Sequence, residues 1–297
     1  MQNNAYIGSH GECSVNPFVG HEKAALKKNG NGRKAVVIGA GPAGLTAADL
    51  LAQRGFDVSL YEKKKEVGGQ INLASAPPEK AKTNWFTEDA ATSCLENGVK
   101  IFTDKEITIA ELKSLAPDVL IIATGSTPIK PRFDGEYNPE DVYTFEDILS
   151  GKVNLENEKI ALIGSGMTGL ETAHYLTEKG NKVTVIEMAS EIAPGTWMQH
   201  KDDVLPKLEK AGTVILTNEK LAEIRKGYIV TQNVKTKRNT SIEADKVVLA
   251  LGSRPEKSLA ELLKKEGFRP YIIGDCNKVG RIADATKAAY EAVMSIY

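Results

Sequence analysis

The hydrophobic pattern starts late in this chain. Residues 1–33 show little periodicity and close on a run of turn formers, Asn29-Gly-Asn-Gly-Arg33, that reads as a linker. A short apolar run, Lys34-Ala-Val-Val-Ile38, then predicts a strand, and a glycine-rich turn follows it. From Leu45 to Arg54 the apolar residues recur at helical spacing and stop at Gly55, a residue suited to ending a helix. A second strand, Asp57-Val-Ser-Leu-Tyr61, delivers Glu62. The pattern is a βαβ unit.

This unit occurs twice. Residues 34–63, KAVVIGAGPAGLTAADLLAQRGFDVSLYEK, align without gaps on residues 159–188, KIALIGSGMTGLETAHYLTEKGNKVTVIEM, with 11 identities in 30 positions. A later pair repeats as well: DVLIIATGSTP (118–128) against DKVVLALGSRP (245–255). Two copies with one element order predict two related dinucleotide folds in one chain. The fold class is therefore α/β, with two Rossmann-like domains, the second inserted in the first. The expected boundaries are an arm and linker over 1–33, a first domain of 34–155 plus 253–297, and a second domain of 156–252.

Other elements are read with the same rules. Val99–Thr103 predicts a strand and Asn138–Ser150 a connection with one helical turn. Trp197–Ala211 predicts a helix. Strands near 213–217 and 228–235, a polar turn at Lys235–Asn239 and a return strand over 241–251 form a meander, and Ala283–Ile296 predicts a terminal helix.

Composition narrows the function classes. A formal net charge of −1 gives no field that would draw the chain to nucleic acid or an anionic membrane. No apolar run approaches the ~20 residues that span a bilayer, and the polar start is unlike a signal peptide. Three cysteines form no even framework, so a reducing compartment, the cytoplasm, is expected.

The chemistry lies in the two glycine turns. Each follows an apolar strand, opens a helix, and is followed by an acid at the end of the next strand, Glu62 or Glu187. Gly39 and Gly164 permit the tight turn, Gly41 and Gly166 admit a pyrophosphate to the backbone, and Gly44 and Gly169 let helix and strand pack. The helix N-termini offer unpaired N–H groups to an anion, and the acids are placed to accept from adenosine ribose hydroxyls. Two bound dinucleotides would carry the chemistry themselves, so no catalytic side chain is expected. His174 reads as a packing or surface residue. His10, His21 and His200 lie in polar surroundings without a metal or triad pattern. Trp85 and Trp197 read as packing residues, Lys63-Lys-Lys65 as a solvated loop with Lys63 beside the adenosine, and Cys94 as buried.

The first turn, Gly39-Ala40-Gly41-Pro42-Ala43-Gly44, together with Glu62-Lys63 and Gly68-Gly69-Gln70, resembles the FAD site of the two-dinucleotide-fold flavoprotein disulfide reductases, the glutathione- and thioredoxin-reductase-like architecture. The second, Gly164-Ser165-Gly166-Met167-Thr168-Gly169, resembles their inserted nicotinamide nucleotide site. Ala123-Thr124-Gly125, repeated at Gly252, resembles the strand end where the chain crosses to the second domain. Tyr271-Ile-Ile-Gly274-Asp275 resembles the final FAD signature. The resemblance implies that Asp275 holds a ribityl hydroxyl, with the helix start at Ile282 and Ala283 near the flavin. Glu187 would repel a 2′-phosphate by ~1 kcal/mol in water and more when desolvated. The loop Met188-Ala-Ser-Glu-Ile-Ala carries no arginine, so NADH is expected over NADPH.

A close cysteine pair that could meet the flavin is missing, which argues against a dithiol substrate. The segment Cys13-Ser-Val-Asn-Pro, with the motifs above, is similar instead to the C-terminal half of the old-yellow-enzyme-type reductases that include 2,4-dienoyl-CoA reductase, 2-enoate reductase and trimethylamine dehydrogenase. In that family a barrel carries FMN and substrate, and a 4Fe–4S cluster lies between barrel and FAD domain. Cys13 matches the fourth cluster ligand. The barrel and the three clustered cysteines have no counterpart in these residues, so Cys13 is expected to be an idle thiol here. The resemblance implies an NAD(P)H-dependent flavin oxidoreductase relaying electrons to an Fe–S/FMN module that acts on an enoate or dienoyl-CoA-type substrate. Two other readings are a non-catalytic ADP-binding module and a stand-alone electron-transfer subunit for a separate Fe–S protein.

Overall fold

A computed structural model describes residues 13–22 and 26–297; His10 lies outside the described residues. In chain order the strands begin with β1 (Lys34–Ile38), β2 (Asp57–Tyr61), β3 (Lys100–Phe102), β4 (Val119–Ile122) and β5 (Ser126–Pro128). Next come β6 (Val142–Thr144), β7 (Lys159–Ile163), β8 (Lys182–Ile186), β9 (Val214–Leu216) and β10 (Glu219–Arg225). The series ends with β11 (Tyr228–Asn233), β12 (Asn239–Glu243), β13 (Lys246–Leu249), β14 (Ser253–Pro255) and β15 (Tyr271–Ile272). The helices are α1 (Pro42–Gln53), α2 (Gln70–Ala74), α3 (Trp85–Glu96), α4 (Ile109–Leu115), α5 (Phe145–Leu149), α6 (Met167–Thr177), α7 (Met198–Lys210), α8 (Ser258–Lys265) and α9 (Ile282–Met294).

The chain divides into two units. The first comprises the described residues up to Asn72 with Thr83–Thr127 and Arg254–Tyr297. Its sheet has the order β15-β4-β1-β2-β3 and its named pairings are all parallel. Such a sheet is buried on both faces, which is why β1 and β4 read as continuous apolar runs rather than alternating ones. One face packs on α1, α3 and α9, with Leu45, Leu51 and Val293 inaccessible or nearly so. The other face packs on α4 and α8 through Leu112 and Leu263.

α1 and α9 run parallel. Just past α1, the buried Arg54 guanidinium donates to the carbonyls of Val293 and Ile296 at the far end of α9. Cationic charge suits a helix C-terminus. Both helices therefore start at the carboxyl edge of the sheet. The segment from Cys13 is seated on α9: Thr286 Oγ1 donates to the Ser14 carbonyl at 3.0 Å, and Tyr290 meets the Phe18 ring edge-on at 5.3 Å.

The second unit comprises Leu73–Lys82 and Pro128–Ser253. Its sheet, β6-β13-β7-β8-β9, is again parallel in its pairings, and β10-β11-β12 form an antiparallel meander beside it. A core around Leu162, Leu170, Leu176, Val185 and Leu208 joins sheet to α6 and α7. No helix of the described residues is long and apolar enough to cross a membrane.

Several expectations change. Residues 128–155 belong to the second unit, because β6 pairs with β13 (Val142 opposite Val247) and α5 buries Phe145, Ile148 and Leu149 in that core. The short span Leu73–Lys82 joins them there, held by the Lys80–Glu171 ion pair. The expected strand over 241–251 is two, broken at Ala244-Asp245, where the Asp245 carboxylate accepts the Lys159 N–H. Strand β10 and helices α4 and α8 were not among the expected elements, although Thr108 and Glu111 form a capping box at the start of α4 and α8 is amphipathic, burying Ala260 and Leu263. Trp85 is 57% exposed rather than a packing residue.

Candidate functional site

The two glycine turns fold alike, at the carboxyl ends of β1 and β7, where the chain order of each sheet reverses. Gly39 has φ +101°, and a Cβ there would lie 2.3 Å from the carbonyl oxygen of Ala123, the residue just past neighbouring β4. Its counterpart Gly164, φ +107°, would press 2.4 Å from Ala250 O. At Gly44 and Gly169 an added Cβ would stand 1.8 and 2.1 Å from the carbonyl oxygens of Gly39 and Gly164. These four glycines are required by the protein's own packing.

Gly41 and Gly166 differ. Both have ordinary negative φ and cap helices without a side-chain capping bond. A Cβ on Gly166 would meet nothing within 4 Å, and one on Gly41 only Gly69 Cα at 3.9 Å. Nothing inside the fold calls for glycine there. The open Cβ positions sit at the N-caps of α1 and α6, helix ends whose first N–H groups have no partner within the helix. Pro42 and Met167 open the two helices, with Ala43 and Thr168 next.

Both acids are buried and tied to their own turns. Glu62 Oε2 accepts from Ala40 N–H at 2.8 Å and Oε1 from Lys64 N–H at 2.9 Å. Glu187 Oε2 accepts from both the N–H and the hydroxyl of Ser165, each at 2.8 Å, and Oε1 from Ala189 N–H at 2.8 Å. Lys63 is solvent-exposed.

In the first unit the remaining motifs gather around the start of α1. Gly68 donates its N–H to Ala40 O at 2.7 Å, and Gly69 faces Gly41 so closely that a Cβ would come to 3.0 Å from Gly41 Cα. A Cβ on Gly274 would come to 2.8 Å from Ala43 Cβ. Ser126, which the motifs did not single out, links two of them: Gln70 Nε2 donates to Ser126 Oγ at 2.7 Å, and that hydroxyl donates to Asp275 Oδ2 at 3.2 Å. Gly280 N–H donates to Asp275 Oδ1 at 3.1 Å, just ahead of Ile282 and Ala283 at the start of α9. Burial pushes the Asp275 carboxyl above its ordinary value, nearby Asp284 adds to this, and the bonds from Gly280 and Ser126 oppose it. Thr124 Oγ1 donates to Glu256 O, and Gly125 O accepts from Glu256 N–H. Gly252 O accepts from Ile129 N–H in the second unit. The only warning in sequence of Ser126 was its place after Gly125 in the repeated segment.

The described cysteines and histidines lie outside these turns. Cys94 and Cys276 are inaccessible, and burial pushes the Cys94 thiol up to about 12 and the Cys276 thiol upward as well. His174 is buried on α6 and His21 stacks on Tyr290. Among the described residues no group of three or more His, Cys, Asp or Glu is placed to hold a metal ion.

Comparisons with known proteins give the family of the chain. The chain is 38% identical over 290 residues to NADH oxidase of Thermoanaerobacter brockii, covering 96% of this chain and 44% of that protein. It is 31% identical over 293 residues to cinnamate reductase of Clostridium sporogenes, covering 96% and 42%. Superposition on a 2-naphthoyl-CoA reductase complex gives a TM-score of 0.91 at 30% identity, covering 99% of this chain and 44% of that one. The chain thus spans less than half the length of these relatives. Residues 33–292, which hold both glycine turns, match the pyridine nucleotide-disulphide oxidoreductase family, and the chain is a member of it.

Proposed function

We propose that this chain binds FAD in its first unit and NADH in its second. It would pass a hydride equivalent from NADH to FAD and relay the electrons to an Fe–S/FMN module acting on an enoate or acyl-CoA-type substrate. The observation that carries the reading is the pair of open glycines, Gly41 and Gly166, whose Cβ positions face space that the fold leaves clear. The cofactors, when bound, supply the hydride chemistry. The residues bind and orient. Gly39–Gly44 and the start of α1 would hold the FAD pyrophosphate, with Glu62 on the adenosine ribose and Asp275, steadied by Ser126 and Gly280, on the ribityl chain. Gly164–Gly169 and Glu187 would do the same for the adenosine half of NADH.

NADH is favoured over NADPH because Glu187 would repel a 2′-phosphate, and the loop Met188–Ala193 carries a further acid and no arginine. The similarity to cinnamate reductase and 2-naphthoyl-CoA reductase supports an enoate- or acyl-CoA-directed module. In this reading Cys13 is one ligand of that module's 4Fe–4S cluster. Reconstitution with FAD followed by anaerobic NADH tests the proposal: flavin absorbance should appear and then bleach, faster with NADH than NADPH. A chain that cannot be made yellow, or that releases ADP rather than FAD on denaturation, would overturn it.

A further inference from the structure

A carboxylate offers about four acceptor directions, two on each oxygen. In the first copy Glu62 uses one on each oxygen, for Ala40 N–H and Lys64 N–H. One direction stays open on Oε1 and one on Oε2, the pattern that suits a vicinal diol. In the second copy Ser165 replaces Ala40. Its N–H and its hydroxyl both reach Glu187 Oε2 at 2.8 Å, while Ala189 N–H takes one direction on Oε1. The hydroxyl proton has no other destination, because Ser165 Oγ itself accepts from Ala193 N–H at 3.1 Å and the side chain is fully buried. Oε2 of Glu187 is therefore saturated, and a single acceptor direction is left, on Oε1.

We propose that Ser165 is the positioning residue that sets ribose recognition in the second site: it restricts Glu187 to one adenosine ribose hydroxyl, where Glu62 holds both of its own. This rests on the reading of the second turn as the nicotinamide nucleotide site. The asymmetry matches the two tasks. A resident FAD gains from two charge-assisted hydrogen bonds, whereas a co-substrate that must leave after each turnover is held by one.

The test is calorimetric affinity of the FAD-loaded chain for NAD⁺ and for its 2′-deoxy and 3′-deoxy analogues, altered on the adenosine ribose. In the parent chain one analogue should bind like NAD⁺ and the other on the order of 10-fold more weakly, the size of one lost bond to a charged group. Ser165→Ala reopens Oε2, so NAD⁺ should tighten and both analogues should become weaker than NAD⁺. The fold tolerates this change at the equivalent turn, where alanine is native at position 40. Conversely, Ala40→Ser should weaken FAD several-fold. Equal penalties for both analogues in the parent chain, or an unchanged pattern in Ser165→Ala, would overturn the inference. Failure of NAD⁺ to bind at all would instead overturn the nucleotide reading beneath it.

Discussion

Residues 34–63 and 159–188 are two solutions of one steric problem, and they differ in what surrounds the solution. Both place a left-handed glycine under a neighbouring strand and a second glycine against the first, with near-identical clearances. The outer strand is recruited differently. In the first unit β15 arrives from after the insertion and pairs with β4. In the second, β6 precedes the whole repeat and pairs with β13. The sheets end with matching strand orders assembled from opposite ends of the chain. The lesson is that the βαβ core is fixed by local geometry, while its edges are filled by whichever segment the chain brings near.

The acids teach a second lesson. Both are buried against their own turn, yet the exchange of Ala40 for Ser165 changes how many acceptor directions remain. A single hydroxyl separates a carboxylate that accepts one bond on each oxygen from one that accepts two on Oε2 and one on Oε1.

The hardest way to break the comparison is at the packing glycines. Gly44→Ala and Gly169→Ala put a Cβ 1.8 and 2.1 Å from a carbonyl oxygen of rigid backbone, and each should cost roughly 3 kcal/mol or more, the upper range for overpacking. Denaturant unfolding would show it, and a loss below about 1 kcal/mol at either site would mean the turns are softer than drawn. Gly41→Ala and Gly166→Ala should behave oppositely. The stability loss should be no more than about 1 kcal/mol, the cost of alanine at a helix N-cap, because no protein atom crowds the new methyl. FAD affinity in the first and NAD⁺ affinity in the second should each fall by at least about 10-fold, which follows if the space belongs to a ligand within contact distance. Were binding unaffected, the open glycines would have no ligand to explain them.

Asp275 sharpens the comparison, since the second unit has no counterpart to it. Its carboxyl is raised by burial above the ordinary 3.8, so between that value and the folded one the native chain holds more protons than the unfolded chain. Stability from this group therefore falls as pH rises through that window and stays lower above it. Asp275→Asn should raise the melting temperature of the FAD-free chain at pH 7, with the difference closing as pH approaches 4, while FAD binding weakens. A variant no more stable than its parent at pH 7 would show that the bonds from Gly280 and Ser126 fully offset burial. The smallest effect concerns thiols that neither turn uses. With Cys94 pushed up to about 12 and Cys276 inaccessible, a thiol reagent should label only Cys13 in the native chain and all three in denaturant. Rapid labelling of a second cysteine would indicate opening around α3 or β15.

By itself the sequence determined both nucleotide-binding cores. Their strands, turns and acids lie within thirty residues of one another, and hydrophobic periodicity and glycine sterics act at that range. Resemblance to the flavoprotein disulfide reductases marked Gly68–Gln70 and Gly274–Asp275, and the Cys13 segment resembled one branch of flavoenzymes. Only the tertiary structure decided the rest. Three-residue β6 carries too few side chains to announce itself, and its partner β13 lies about a hundred residues on, so the boundary at 127/128 was hidden. Gln70, Ser126 and Asp275 meet through pairings far apart in the chain. Ser165 is an unremarkable turn residue until its hydroxyl is seen between Glu187 and Ala193. Hydrogen-bond directions depend on where distant atoms arrive, and a one-dimensional pattern does not encode them.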